Sequence, residues 1–216
     1  MSNLPDPFYL ILALSGMALV PFLAVMTTSF VKLAIVFGLL RNALGIQQIP
    51  PNMAIYGLSM ILTIYIMAPV GYAIHDTLIE QDLSFEDSEN FINALDKGSD
   101  PFKDFLKKHA NSREVSFFMK NAESLWPQEY VDRLGADSFM ILIPAFTVSE
   151  LTSAFEIGFL LYLPFIVIDL IISNILLALG MMMVSPMTIS LPFKLLLFVL
   201  LDGWARLIHG LVLTYQ

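Results

Sequence analysis

Lys32, Asp169, Lys194 and Asp202 each lie within an otherwise apolar stretch, and Glu150 and Glu156 stand near Phe146, Leu151 and Phe159 on a shorter apolar segment. A charge at the centre of a membrane helix costs about 2.5–3.5 kcal/mol on insertion scales, so such residues face a partner or a water-filled path. Two kinds of chemistry fit: ion pairs between helices or subunits, or a proton or ion relay. The signs balance and no cluster of carboxylates shares one helix face, which favours pairing. A relay is helped by a buried histidine, whereas His75 and His209 fall toward the ends of their segments.

The second unusual group is the run Met181-Met182-Met183, just before Val184-Ser-Pro186. Read as the end of a helix, three consecutive residues cover roughly 300° of its circumference, so no single packing face accounts for them. Methionine is unbranched and polarizable and re-packs around partners of different shape. At the tip of a hydrophobic hairpin, that property suits a deformable seal as well as ordinary packing. Catalytic chemistry finds no support. The chain has no cysteine, hence no thiolate nucleophile and no Cys-ligated metal. It also lacks a metal-binding His pair at helical spacing, a G-x-S-x-G elbow and a phosphate loop. No cofactor, metal site or catalytic residue is expected.

The elements that hold these groups follow from composition. Of 216 residues, 57% are hydrophobic and 14% charged, with a mean hydropathy of +0.75. Soluble domains carry roughly 25% charged residues, so this chain belongs in a membrane or among partners that cover it. The net charge of −8 is local. Between Asp76 and Asp137 lie 14 of the 19 acidic and 7 of the 11 basic residues. No basic face for nucleic acid exists. The chain therefore divides into an apolar helical hairpin over 1–74, a soluble acidic helical insert over 75–137 and a second apolar hairpin over 138–216.

In the first hairpin, Phe8 to Leu40 is apolar for 33 residues, about 50 Å as one helix against a hydrocarbon layer of ~30 Å. Pro21 is expected to kink or break it. The N-terminus carries an acid and lacks the positive region of a secretory signal. A polar connector, Arg41 to Asn52, contains Asn42, Gln47, Gln48 and the breakers Gly45, Pro50 and Pro51. The run Met53–Ile74 follows, broken near its end by Pro69 and Gly71. In the insert, Asp100-Pro101 reads as an N-cap with a first-turn proline. Phe102, Phe105, Leu106 and His109 then form an amphipathic stripe, and Ser112 is expected to cap a helix bearing Val115, Phe118 and Met119. In the last block Pro144, Pro164, Pro186 and Pro192 act as dividers. Helices are expected over Phe165–Met182 and Phe193–Leu213, with an uncharged connector from Met183 to Pro192 that is buried in protein or lines a cavity. Lys/Arg asymmetry places the 41–52 connector on the cytoplasmic side and the insert outside.

Several of these segments together resemble one known family. They are Phe30-Val-Lys-Leu-Ala-Ile-Val36, Leu40-Arg-Asn-Ala-Leu-Gly-Ile-Gln-Gln-Ile-Pro-Pro-Asn52, Leu163-Pro-Phe-Ile-Val-Ile-Asp169, Leu179-Gly-Met-Met-Met-Val-Ser-Pro-Met-Thr-Ile-Ser190, Pro192-Phe-Lys-Leu195 and Leu201-Asp-Gly-Trp204. They are similar to the signature of the R subunit of the type III secretion export apparatus, the SctR/FliP family. The lack of a leader of the kind many flagellar members carry favours the injectisome branch. The resemblance implies an all-α, membrane-associated fold of about four long apolar helices plus short ones, assembled into a homo-oligomeric, pentameric ring. It further implies S and T subunits, other injectisome base and export gate proteins and membrane lipid as partners. Unfolded secreted proteins would pass through the pore, in an inner-membrane assembly partly raised on the periplasmic side. By the same likeness Met181–Met183 form a gasket closing the channel. Lys32, Glu150, Asp169, Lys194 and Asp202 are expected in inter-helix or inter-subunit charge pairs, and the driving force is expected from a separate ATPase and the proton gradient. A proton-coupled transporter subunit and a pure scaffold are the competing expectations.

Overall fold

The computed structural model describes residues 7–46, 48–80 and 88–216, and every regular element among them is helical. The order is α1 (Pro7–Met26), α2 (Phe30–Leu44), α3 (Asn52–Glu80), α4 (Ser88–His109), α5 (Ser112–Leu125), α6 (Gln128–Val131), α7 (Phe139–Ala178), α8 (Pro186–Leu200) and α9 (Gly203–Leu213). Gln47 lies outside the described residues.

Helix α2 is the centre of the molecule. Its Leu33, Val36, Phe37 and Leu40 are fully buried and pack with Ala154 and Phe165 of α7, Ile55 of α3, and Leu207 and Leu211 of α9. The approach of α2 to α7 is close because Gly158 carries no side chain; a Cβ there would collide with Leu39. The first apolar run is two helices meeting at 56°, but the break falls at Thr27–Ser29 while Pro21 sits inside α1. The hydroxyls of Thr27 and Thr28 donate to the carbonyls of Leu23 and Ala24, four residues back. This back-bonding favours a bend at a helix end.

Several expected boundaries move. Helix α3 runs through Pro69 and Gly71 to Glu80, so it crosses from the apolar hairpin into the insert. Helix α7 continues for 40 residues through Pro144 and Pro164, where a start at Phe165 had been expected. Such prolines are tolerated in membrane helices; beside Pro144 the hydroxyls of Thr147 and Ser149 donate to the carbonyls of Ile143 and Ala145, four residues back. At 1.5 Å per residue α7 is about 60 Å long, roughly twice the hydrocarbon layer. Helix α8 begins at Pro186, a favoured first-turn position. The helix expected from Phe193 to Leu213 is instead bent by 61° between α8 and α9. In the insert, α4 runs through Pro101, so Asp100 is no N-cap. Asn111 caps α5, its side chain accepting from the Arg113 amide, and Ser112 is already helical.

The insert has its stripe as expected, but the core beneath it is shared. Phe105 and Leu106 are buried against Leu142 and Phe146 of α7, with Met67 and Val70 of α3 alongside. Two helices, Asn52–Ile79 and Phe139–Ala178, are long and apolar enough to cross a membrane, and the bent pairs α1–α2 and α8–α9 are each apolar enough for a broken span or a re-entrant loop. Large apolar residues including Met53, Ile61, Tyr65, Phe159, Leu170, Phe193 and Leu200 face outward. Patches of that extent mark lipid or protein contact.

Candidate functional site: a methionine loop on a hairpin clamped by buried charges

The turn after α7 follows from its sequence. Gly180 takes a left-handed φ of 70°, which costs glycine nothing and other residues roughly 1 kcal/mol or more. Its amide donates to the Leu177 carbonyl, and the Met181 amide donates to the Leu176 carbonyl. That bond pair is a Schellman motif and ends the helix sharply. The methionine run therefore lies in the loop beyond α7, so the full-circumference argument for a helical run does not apply. Met181, Met182 and Met183 are 44%, 84% and 101% exposed. Pro186 then starts α8, which returns antiparallel to α7.

Two polar networks brace this hairpin. In the first, Lys194 of α8 donates to Asp169 Oδ2 of α7 at 2.6 Å and to the carbonyl of Ala43 at 3.1 Å. The Ser190 hydroxyl donates to Asp169 Oδ1 at 2.6 Å. Ala43 is in the last turn of α2, so the ammonium also meets the negative end of that helix. One buried lysine thus joins α2, α7 and α8 at the base of the loop. Ser190 escaped the sequence reading, although its place one turn before Lys194 on the same helix face could have indicated it.

In the second network Lys32 Nζ of α2 lies 2.7 Å from Glu150 Oε1 of α7, both almost wholly buried. The Tyr215 hydroxyl donates to Glu150 Oε2, and Lys32 sits 4.3 Å from the centre of the Tyr215 ring. Burial and the adjacent carboxylate push the Tyr215 phenol above its ordinary range, which keeps it a donor. Tyr215 had no sequence signal, because the contact spans 65 positions. The two networks fasten both ends of α2 to α7.

His109 packs edge-on against Tyr215 at 5.1 Å between ring centres. Burial first, then the charges of Lys108 and Lys32, lower its pKa from 6.5 to about 4. An unfolded chain protonates this ring at higher pH than the folded one, so stability present above pH 6.5 is lost as the pH falls toward 4. Because the ring is only half buried, the expected loss is ~1–2 kcal/mol, less than the full shift converts to. Melting curves of the purified protein between pH 7.5 and 4 check this; a His109→Gln variant should lack that component of the slope, and equal slopes would refute it.

The remaining expected residues are placed as follows. Arg41, in the last turn of α2, donates to the side chain of Asn52 at 2.6 Å and to the Pro50 carbonyl at 3.3 Å, closing the connector. The Asn42 carbonyl accepts the Gly45 amide, and the Pro51 carbonyl accepts from Ala54 and Ile55 at the start of α3. Gln48 is exposed in a left-handed conformation, φ 66°. Asp202 had been expected in a charge pair. It is the exposed bend residue between α8 and α9, with φ 50°, and makes no ion pair to another helix among the described residues. Asp tolerates that conformation. Glu156 is exposed on α7. No three His, Asp or Glu side chains among the described residues gather as a metal site.

Apart from Tyr215, the residues that build this hairpin and its clamps fall within one continuous match, residues 13–211, to the model of the FliP family. The chain belongs to the FliP family. It is 64% identical to the Yop proteins translocation protein R of Yersinia pestis, across 100% of this chain and 99% of that protein. It is 51% identical to the hypersensitivity response secretion protein HrcR of Ralstonia nicotianae, with 96% of each chain covered. It is 49% identical to the virulence protein YscR of Salmonella typhimurium, across 99% and 100%. This FliP-family chain is an all-α, apolar membrane component of a type III secretion apparatus, a structural part and not an enzyme.

Proposed function

We propose that several copies of this chain, a pentameric ring, join the S and T subunits to line a channel for unfolded secreted proteins, with the Met181–Met183 loops meeting at its axis as the seal. The observation that carries this reading is the loop itself: three long apolar side chains stand exposed on a tip fixed by the Schellman turn and by the Lys194–Asp169–Ser190 clamp. Rigid mounting of flexible side chains suits a gasket. Thioethers offer water few hydrogen bonds, so a narrow ring of them dewets and blocks ions. An arriving polypeptide is accommodated because methionine re-packs around differing side chains. The relatives' names, translocation and secretion proteins, agree with a conduit.

The arrangement also fits one orientation. A single span, Asn52–Ile79, separates the Arg41 connector from the acidic insert. With the basic connector on the cytoplasmic side, the insert lies on the periplasmic side. Lys32 with Glu150 and Lys194 with Asp169 act as structural pairs, each carboxylate holding its own cation.

The chain's lack of cysteine makes the test direct. A Met182→Cys variant in the assembled complex should crosslink to its own copies under mild oxidation. A thiol that reacts with lipid-soluble reagents and never with a sibling would refute the axial position.

A further inference from the structure

Not every charge in the apolar helices is satisfied within the chain. Glu156 of α7 and Arg206 of α9 are both exposed, and neither side chain has an ion pair or hydrogen bond to a described residue. Both lie within spans apolar enough for a membrane. Left there alone, each costs about 2.5–3.5 kcal/mol at the bilayer centre. A partner of opposite sign outside the chain removes that cost.

Their placement identifies the partner. At 100° per residue, Glu156 shares one face of α7 with Thr152, Phe155 and Phe159, around a shallow surface depression. Phe155 and Phe159 are 59% and 62% exposed. About half a turn around the same helix, Ile157, Leu161 and Pro164 face α8 and α9 across an apolar groove of about 440 Å³, and Arg206 stands in its lining. An aromatic ridge bearing an acid thus occupies one side of the molecule, and an apolar groove bearing a base the other. Complementary patches on opposite faces cannot satisfy each other in a two-fold dimer; they join head to tail, and a head-to-tail contact makes a ring where its rotation closes and an open filament where it does not.

We propose that Glu156 of one copy pairs with Arg206 of the next, with the Phe155 and Phe159 ridge seated in the groove beside that arginine. This assignment rests on the multi-copy reading above and names the surfaces through which the copies meet. The pair sets register and direction around the ring, since a reversed neighbour would bring like charges together.

The test uses the full chain in its assembled complex. Two differently tagged forms, one Glu156→Cys and the other Arg206→Cys, are co-produced and treated with a short bis-maleimide. The expected product is a dimer carrying both tags, with no dimer from either form alone. In the charge-exchange arm, Glu156→Arg or Arg206→Glu alone should lower recovered oligomer about tenfold, and the two together should restore it to within about twofold. Absence of the mixed dimer while Met182→Cys still crosslinks would overturn this surface and leave the ring. Loss of both crosslinks would overturn the ring as well. Unrescued loss with Arg206→Glu, matched by dependence on anionic lipid content, would assign the arginine to a lipid phosphate and overturn the pairing.

Discussion

Replacing Lys32 by Met is expected to destabilise the protein by about 3–5 kcal/mol, because it leaves the Glu150 carboxylate buried without its cation. Only the Tyr215 hydroxyl would remain on that carboxylate, and one neutral donor does not replace an ammonium at 2.7 Å. Domain stabilities are 5–15 kcal/mol, so most of the assembled complex should be lost from membranes. The double variant Lys32→Met, Glu150→Gln removes both charges together and should recover a large share of that loss. Thermal unfolding in detergent and the yield of native complex measure both. The same cycle separates a pair from a relay. A relay would lose transport with assembly and stability intact, whereas a clamp on α2 loses assembly first. If Lys32→Met unfolds at the wild-type temperature, the clamp is wrong.

What the sequence disclosed, and what it concealed, follows from the range of each interaction. The apolar runs, the stripe of Phe102, Phe105, Leu106 and His109, and the isolated charges are local patterns with fixed periods, and the structure has helices there. The stop at Gly180 carries a local signal, a glycine shortly before a proline-started helix, but the expected helix ran through it to Met182. Prolines misled the reading at Pro21, Pro69, Pro101, Pro144, Pro164 and Pro192, all of which lie inside helices; the connector expected from Met183 to Pro192 ends at Ser185, where α8 begins. The rule that proline ends a helix holds less strictly in membrane helices, where such prolines are tolerated. The real breaks, at Thr27–Ser29 and Leu201–Asp202, carry weaker local signals.

Partners across the fold were out of reach. Lys194 with Ala43 spans 151 positions and Tyr215 with Glu150 spans 65; nothing in a one-dimensional pattern links them. The methionine run shows both sides of this. Its composition and place at a hairpin tip were legible, but its conformation was not: read as helix, it suggested packing on all sides, whereas the structure holds it in an exposed loop.

That exposure leads to the second large effect. Changing Met181, Met182 and Met183 to Ala removes three heavy atoms from each side chain at the loop tip. The turn itself is expected to survive, because its bonds are made by backbone amides of Gly180 and Met181 and the clamp below it by Asp169, Ser190 and Lys194. Assembly should therefore stay near wild-type, while the constriction widens enough to hold water. The measurement is the ionic conductance of the purified complex in planar bilayers, with the triple alanine variant beside the wild type. A closed wild-type trace and stepwise channel currents from an equally well assembled variant are the predicted result. A variant that assembles fully and stays as tightly closed as the wild type would contradict the account.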